Sequence, residues 1–419
     1  MRRFGAVLAG AGLLAILVLT LTPNPRQAHA SALTPLLCVV CGETGGADVV
    51  LNLLLFMPMA AGLALLRRPW LRIVGICLLL SLLVETVQYF PFTGRDASLS
   101  DVLTNTVGGA LGAAITARAG TLLRPGPILA RRLALAAGVG WLGILTFAAV
   151  AMRPWAPPGR LRNYCTAAYP MPDEFAGTAR TMTLNGVELR CDHRVPGGTI
   201  RRELRRGEVA LETVAEAGDP AAGRRVIQQI RTRRTPLVVL AQHGRDAVFQ
   251  TPTASRALKL FAPIVRLPGA FPAGPGDPVE LTGEAVDRRL RLSAVHDGSR
   301  REVDLPLSPA YGWTLLLPVP LEPGVLLRLV AALWLGGLIL PAAYWAGLAD
   351  RPRAATGALA GVVVAGLGLV PAIGGFDPVH WSEWLGAGAG IALGWALSRI
   401  ATYLQSRCGS PSTSAYSSS

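Results

Sequence analysis

The feature that most constrains this chain is a series of eight apolar stretches, each close to the length of a membrane-crossing helix. They run approximately over residues 4–21, 49–66, 73–90, 102–119, 133–152, 325–348, 355–373 and 384–400. A hydrocarbon core of about 30 Å needs roughly 20 mostly apolar residues in a helix. Only 16% of the residues are charged, whereas an ordinary soluble domain has about a quarter. We therefore predict an α-helical polytopic membrane protein with about eight transmembrane helices.

Arginine residues indicate the orientation of these helices. The 40 basic residues exceed the 26 acidic residues by 14, and Lys259 is the only lysine. If the eight spans alternate, one side of the membrane receives Arg2, Arg3, Arg67, Arg68, Arg72, Arg118, Arg124, Arg131, Arg132, Arg351, Arg353 and Arg407. The positive-inside rule assigns that side to the cytoplasm. We expect cytoplasmic termini and no nucleic-acid partner, because no nucleic-acid-binding motif accompanies the charge.

The spans divide the chain into four predicted regions. Residues 1–152 form a five-helix transmembrane domain, 153–323 an extracytoplasmic domain, 324–403 three further transmembrane helices and 404–419 a disordered, Ser-rich cytoplasmic tail. The first span could instead be a cleaved signal peptide, but its apolar part is longer than the usual 7 to 15 residues. We expect it to be retained.

The polar region 153–323 shows the pattern of an all-β domain. Apolar and polar residues alternate in several short runs, which are broken by Asn185-Gly186, His243-Gly244 and Asp297-Gly298. Such dipeptides favour hairpin turns, so we predict an inserted β-sandwich or jelly roll. The run RLRLSAVHDGSRREVDLPL and the segment from Phe175 onward resemble concanavalin A-like and laminin G-like domains. The resemblance implies a domain that binds glycan or serves structurally.

Cysteine spacing agrees with an external position. Cys165 and Cys191 are the only cysteines of the predicted external domain, and an oxidising compartment favours a disulfide between them. Cys38 and Cys41 form a Cys-Val-Val-Cys motif in the first external loop. We expect a local disulfide there, with a redox role as the alternative. Metal binding is disfavoured, because thiolate sites usually need four ligands and the histidines show no ligand spacing.

Polar residues near the ends of three spans are the strongest candidates for a functional site. They are Asp48, Asn52, Glu85, Gln88, Arg95, Asp101 and Asn105. Spacings of three or four residues place each helix's members on one face, and the predicted topology puts all of them near the outer leaflet. Such residues are costly in lipid and mark function by default. They could form a hydrogen-bonded knot that holds the helices together, or a site for a lipid head group, a proton or a sugar-phosphate.

The same residues resemble the VanZ-like family over roughly the first 120 residues. The pattern is Asn52 with Leu55-Phe56-Met57-Pro58 shortly after it, then Glu85-x-x-Gln88, Arg95, and Asp101-x-x-x-Asn105-x-x-Gly108 with Gly112. Met59 departs from it, because glycine often follows the proline, and the β-domain with the last three spans is an addition. The family takes its name from a protein that gives low-level teicoplanin resistance. The resemblance implies a protein of the bacterial cell membrane.

Three functions follow as hypotheses. The leading one is a cell-envelope membrane protein that alters how the wall or surface lipids meet glycopeptides, with a membrane lipid or wall component as partner. The second is a membrane enzyme acting on a lipid-linked sugar or phosphate, with Glu85 and Asp101 as catalytic acid and base and Arg95 as an anion clamp. The third is a glycan-binding or sensing module anchored by passive helices. No metal or cofactor is predicted, and the sequence leaves the oligomeric state open.

Overall fold

A computed structural model describes residues 2–22, 40, 44–88, 98–165, 175, 177–191, 193–195, 197–216, 224–233, 235–272, 274 and 276–408. The chain folds as two compact units. The first comprises residues 1–120, 150–307 and 311–323, and the second comprises 121–149, 308–310 and 324–419. The domain boundaries drawn from the sequence remain predictions. The division differs from them because residues 121–149 group with the C-terminal helices.

The helices follow the apolar runs of the sequence. They are α1 (Arg2–Leu21), α2 (Gly45–Leu65), α3 (Trp70–Gln88), α4 (Leu99–Ala117), α5 (Ala119–Leu123), α6 (Pro127–Ala151), α7 (Gly197–Arg206), α8 (Val325–Gly347), α9 (Pro352–Val364), α10 (Val370–Gly374) and α11 (Trp381–Cys408). A π-helical turn over Ala365–Leu369 joins α9 to α10, so the two form one continuous helix.

Within the described residues, six helical segments are long and apolar enough to cross a membrane. They are α1, α2, α3, α6, α8 and the combined segment Pro352–Gly374. This number fits a multi-pass membrane protein. The 19-residue α4 and the 28-residue α11 are not among the six, and α4 carries several polar side chains, including Asp101 and Asn105. The figure of eight spans therefore stays a prediction.

The sheet-rich region of the first unit contains two six-stranded sheets. The strands are β1 (Arg162–Cys165), β2 (Ala179–Leu184), β3 (Val187–Glu188), β4 (Val209–Glu216), β5 (Arg224–Arg231), β6 (Pro236–His243), β7 (Asp246–Gln250), β8 (Ile264–Leu267), β9 (Pro278–Val286), β10 (Arg289–His296), β11 (Ser299–Pro306) and β12 (Pro320–Leu321). Their orders are β1-β5-β6-β7-β8-β12 and β11-β10-β9-β4-β2-β3. All pairs are antiparallel except β8 with β12.

The two sheets meet through a close contact in the interior. The ring of Phe249 on β7 lies over Gly283 on β9, where an added Cβ would be 2.3 Å from the ring. Burial alternates along β4 and β9, as expected for strands with one buried face. Asn185-Gly186, Gly244 and Asp297-Gly298 stand at hairpin turns with positive φ. The concanavalin A-like or laminin G-like identity and the jelly roll stay predictions.

A disulfide and an ion pair fasten the sheet-rich region. Cys165 at the end of β1 is joined to Cys191, 26 residues further on, and closing a loop of that size stabilises a fold by about 3 kcal/mol in the chain-entropy treatment. Thr178 and Arg180 donate hydrogen bonds to the Glu216 carboxylate. These hydrogen bonds lower the pKa of Glu216 below its ordinary value of 4.5. The predicted Cys38–Cys41 pair lies outside the described residues.

A main-chain contact connects the sheet-rich region to the start of α2. Thr44 precedes α2 without a side-chain cap, so the first N–H groups of the helix need other acceptors. The carbonyl oxygen of Lys259 accepts hydrogen bonds from the N–H groups of Gly46 at 3.0 Å and Ala47 at 3.3 Å. The Lys259 Nζ donates to the Val40 carbonyl. The sheet-rich region therefore contacts the same end of α2 that carries Asp48 and Asn52.

The second unit is centred on the buried Trp141 of α6. Its indole Nε1 donates to the Leu335 carbonyl of α8 at 3.2 Å, and its ring packs against Gly366 in the π-helical turn. Arg131 pairs with Asp350 at 2.9 Å. Glu383 is buried at the start of α11 and accepts a long hydrogen bond, 3.5 Å, from Ser308. These contacts gather α6, α8, α9 and α11 into one bundle.

Candidate functional site

The candidate site lies where three helices of the first unit begin or end. The chain enters α2 at Gly45, leaves α3 at Gln88 and enters α4 at Leu99. Ser98 is the N-cap of α4, because its Oγ accepts a hydrogen bond from the Ser100 N–H at 3.1 Å. Asp101 follows in the first turn, where a carboxylate is favoured by the helix dipole. The local sequence thus brings an acidic group to the start of α4.

Close backbone packing sets the distance between α2 and α4. A Cβ added to Gly108 would lie 2.2 Å from the Leu53 carbonyl oxygen, and one added to Gly112 would lie 2.5 Å from that of Met57. Glycines four residues apart let helices approach in this way in membranes. Because Gly108 is only three residues beyond Asn105, this contact holds the polar face of α4 against α2.

Two hydrogen bonds join the polar side chains of these helices directly. The Asn52 Nδ2 donates to the Asp101 Oδ1 at 2.8 Å, which connects α2 to α4. The Asn105 Nδ2 donates to the Ser81 Oγ at 2.9 Å, and the Ser81 hydroxyl donates a long bond, 3.5 Å, to the Asp101 carbonyl. Ser81 is fully buried. Asn52, Ser81, Asp101 and Asn105 therefore form one hydrogen-bonded network across α2, α3 and α4. We call these four residues, together with Glu85, the polar cluster.

Glu85 faces the same group of residues from α3. It is only 8% exposed, and its Oε2 accepts a hydrogen bond from the Ser98 main-chain N–H at 2.7 Å. It also interacts electrostatically with Asp101. A buried carboxyl group thus lies within electrostatic range of a partly buried one, an arrangement that costs free energy unless one is protonated or a cation lies nearby.

The other predicted site residues occupy different positions. The Gln88 Nε2 donates to the Thr20 carbonyl at 2.9 Å, so Gln88 links α3 to the end of α1. Asp48 lies in the first turn of α2, one turn before Asn52, with an exposed side chain. Arg95 lies outside the described residues. The structure therefore brings together Asn52, Glu85, Asp101 and Asn105.

One atom of the polar cluster has no hydrogen-bond partner. Asn105 is 1% exposed, and its Oδ1 accepts no hydrogen bond from any described residue. A buried amide oxygen without a donor costs about 1–3 kcal/mol. This unpaired acceptor on α4 can accept a hydrogen bond from a donor that enters the cluster.

Sequence reasoning missed three partners of these residues. Ser81 is one turn before Glu85 on the same face of α3, so its spacing could have drawn attention to it. The main-chain N–H of Ser98 and the carbonyl of Thr20 carry no sequence signal, because every residue offers such groups. Within the described chain, no three His, Cys, Asp or Glu residues are grouped as a metal site would require.

These features define a class of protein before any comparison is made. The chain is a multi-pass membrane protein with a polar cluster at one end of its N-terminal helices and a sheet-rich region contacting that end. Residues 11–122 match the model of the VanZ/LLP1 family, so the chain contains a VanZ-like domain there. The match confirms the family resemblance of the first 120 residues. Comparison with curated proteins and with solved structures found no match.

Proposed function

We propose that this protein acts in a bacterial cell membrane and changes how the cell surface meets glycopeptides of the teicoplanin type, by altering an envelope lipid or wall component at the polar cluster. The single observation that carries the proposal is the buried Glu85 with its partly buried neighbour Asp101 inside a VanZ-like domain. A pair of this kind is expensive to keep in a membrane helix bundle unless it has a role.

The orientation is part of the proposal. The distribution of arginines supports cytoplasmic termini and an extracytoplasmic sheet-rich region. Since that region contacts the start of α2, the polar cluster then lies near the outer surface, where wall components and glycopeptides are found.

Deletion and complementation test the proposal. A strain without the gene should differ from the wild type in teicoplanin susceptibility and in its profile of lipids and wall precursors. Reintroducing the wild-type gene should restore both. Equal values in the two strains under several envelope stresses would contradict the proposal.

Isosteric variants test the cluster itself. Glu85→Gln and Asp101→Asn keep an oxygen that can accept the Ser98 and Asn52 hydrogen bonds but remove the charge. We expect both variants to reach normal protein levels and to fail in complementation. Thr106→Val is the matched control, because the Thr106 hydroxyl bonds only to its own helix, at the Val102 carbonyl. Full complementation by both charge variants would exclude a role for the carboxyl groups.

A membrane enzyme acting on a lipid-linked sugar or phosphate is the second candidate. The electrostatic pairing of Glu85 with Asp101 favours it, because two interacting carboxyl groups can share one proton and serve as acid and base. Accumulation of a defined precursor in the deletion strain and in the Glu85→Gln strain is the expected result. An altered surface without any accumulated precursor would favour the non-enzymatic proposal.

A further inference from the structure

The sheet-rich region contains a second concentration of charge, in a cavity of about 1050 Å³. Its lining carries six cationic side chains from four separate stretches of the chain: Arg160, Arg162, Arg194, Arg233, Arg256 and Lys259. None of the described residues that line it is aspartate or glutamate. The cavity shares no residue with the polar cluster.

Several arginines elsewhere in this region are neutralised by carboxylates, whereas three in the cavity have no such partner among the described residues. Arg266 pairs with Asp246, and Arg289 pairs with Asp304 at 2.9 Å. By contrast, Arg160, Arg194 and Arg233 are exposed and form no ion pair with any described residue. Bringing like charges together without counter-charges raises the free energy of the folded state. The arrangement is therefore one that an anionic ligand would stabilise.

The chemistry of the lining favours a phosphoryl group. Guanidinium groups offer paired N–H donors that match two oxygens of a phosphate, and a phosphomonoester or pyrophosphate supplies several negative charges to match the cations of Arg160, Arg194 and Arg233. Trp155 also lines the cavity and offers an apolar, aromatic surface beside the charges. A ligand with a phosphoryl group attached to a sugar or glycerol fits both properties.

The position of the cavity relates it to the membrane. Lys259, which lines the cavity, accepts through its carbonyl oxygen the hydrogen bonds from Gly46 and Ala47 at the start of α2. The cavity thus borders the point where an apolar helix begins, which is the level of lipid head groups. We propose that this basic cavity binds a phosphoryl group, either in the head group of an anionic lipid or in a soluble phosphate. The proposal does not depend on the function proposed for the polar cluster.

Binding measurements on the full chain in phosphatidylcholine nanodiscs test the proposal. Calorimetric titrations would use pyrophosphate, inorganic phosphate, short-chain phosphatidic acid and short-chain phosphatidylcholine. We expect saturable binding of at least one phosphomonoester or pyrophosphate probe. The triple variant Arg160→Gln/Arg194→Gln/Arg233→Gln should weaken this binding at least tenfold, because it removes three unpaired cations. Absence of saturable binding for every phosphoryl probe would overturn the proposal.

A control of equal charge comes from α7. The triple variant Arg202→Gln/Arg205→Gln/Arg206→Gln removes three exposed arginines of the same region outside the cavity, and we expect less than a twofold change in affinity. Equal losses in both triples would show a general charge effect and would also overturn the proposal. If the cavity triple unfolds, Arg194→Gln alone should still weaken binding two- to threefold, and an unchanged affinity would refute the assignment.

The four probes also separate the sources of the ligand. Binding of phosphatidic acid but not of pyrophosphate assigns the cavity to a lipid head group. Binding of pyrophosphate but not of phosphatidic acid assigns it to a soluble phosphate. In both cases the cavity triple must lose the interaction while the α7 triple keeps it. Phosphatidylcholine should not compete, because its phosphate is neutralised by the choline group.

Discussion

The packing of α4 on α2 gives the sharpest prediction about stability. A methyl group added by Gly108→Ala would lie 2.2 Å from the Leu53 carbonyl oxygen and 2.9 Å from the Leu53 Cα. Backbone atoms of a packed helix cannot move aside as a side-chain end can. Overpacking of this kind costs about 1–3 kcal/mol, while alanine gains about 0.5–1 kcal/mol over glycine in a helix. We expect a net destabilisation of about 1–2 kcal/mol.

Gly75 on α3 provides the matched control. Apart from its chain neighbours and the backbone of its own helix, no described atom lies within 4 Å of the position that its Cβ would occupy, so Gly75→Ala should be neutral or stabilising by up to about 1 kcal/mol. Both variants would be unfolded reversibly in mixed micelles of mild detergent and SDS, with helicity followed by circular dichroism. The two free energies of unfolding should differ by about 2 kcal/mol. A difference below about 0.5 kcal/mol would refute the reasoning that a backbone contact joins α2 to α4 at this position.

Three further predictions concern a hydrogen bond between helices, the sidedness of the disulfide and the dependence of stability on pH. A double-mutant cycle of Asn52→Ala and Asp101→Ala should give a coupling free energy of about 0.6–1.7 kcal/mol, the range for hydrogen bonds between membrane helices. A coupling of zero would contradict the hydrogen bond between α2 and α4. In intact cells, a membrane-impermeant thiol reagent should label Cys165 and Cys191 only after reduction, and labelling before reduction would contradict an external disulfide. The lowered pKa of Glu216 stabilises the fold fully above its ordinary pKa of 4.5, and this stabilisation should be lost as the pH falls through the lower folded pKa. The melting temperature of Glu216→Gln should therefore fall less steeply than that of the wild type as the pH is lowered in this range.

The sequence was informative wherever a residue type was unusual for its surroundings. Asn52, Glu85 and Asp101 stand out in apolar helices, and the structure places them side by side. The turn at Asn185-Gly186 was equally visible, because few residues accept positive φ. By contrast, the turn between β9 and β10 uses Asp287 and Arg288 at φ of 51° and 61°, residues that carry no comparable signal.

Long-range groupings were beyond sequence reasoning for a physical reason. The four arginines of α7 form two adjacent pairs that are visible in the sequence, yet only tertiary folding brings Arg160, Arg194 and Arg233 to one cavity. Their separations of 34 and 39 residues contain no periodicity that could indicate proximity. The Gly46 N–H at the start of α2 likewise donates to the main-chain oxygen of Lys259, more than 200 residues away. A main-chain acceptor leaves no signal in the residue type, because every residue has one.

That partner has a consequence for the order in which the molecule is made. The ribosome completes α2 long before it reaches Lys259, so the N–H group of Gly46 first emerges without the carbonyl acceptor that it has in the finished protein. That hydrogen bond can form only after Lys259, more than 200 residues further along the chain, has been made and the sheet-rich region has folded. The start of α2 is therefore complete only when the sheet-rich region has folded, and a chain that stops before Lys259 would leave the Gly46 N–H without this acceptor.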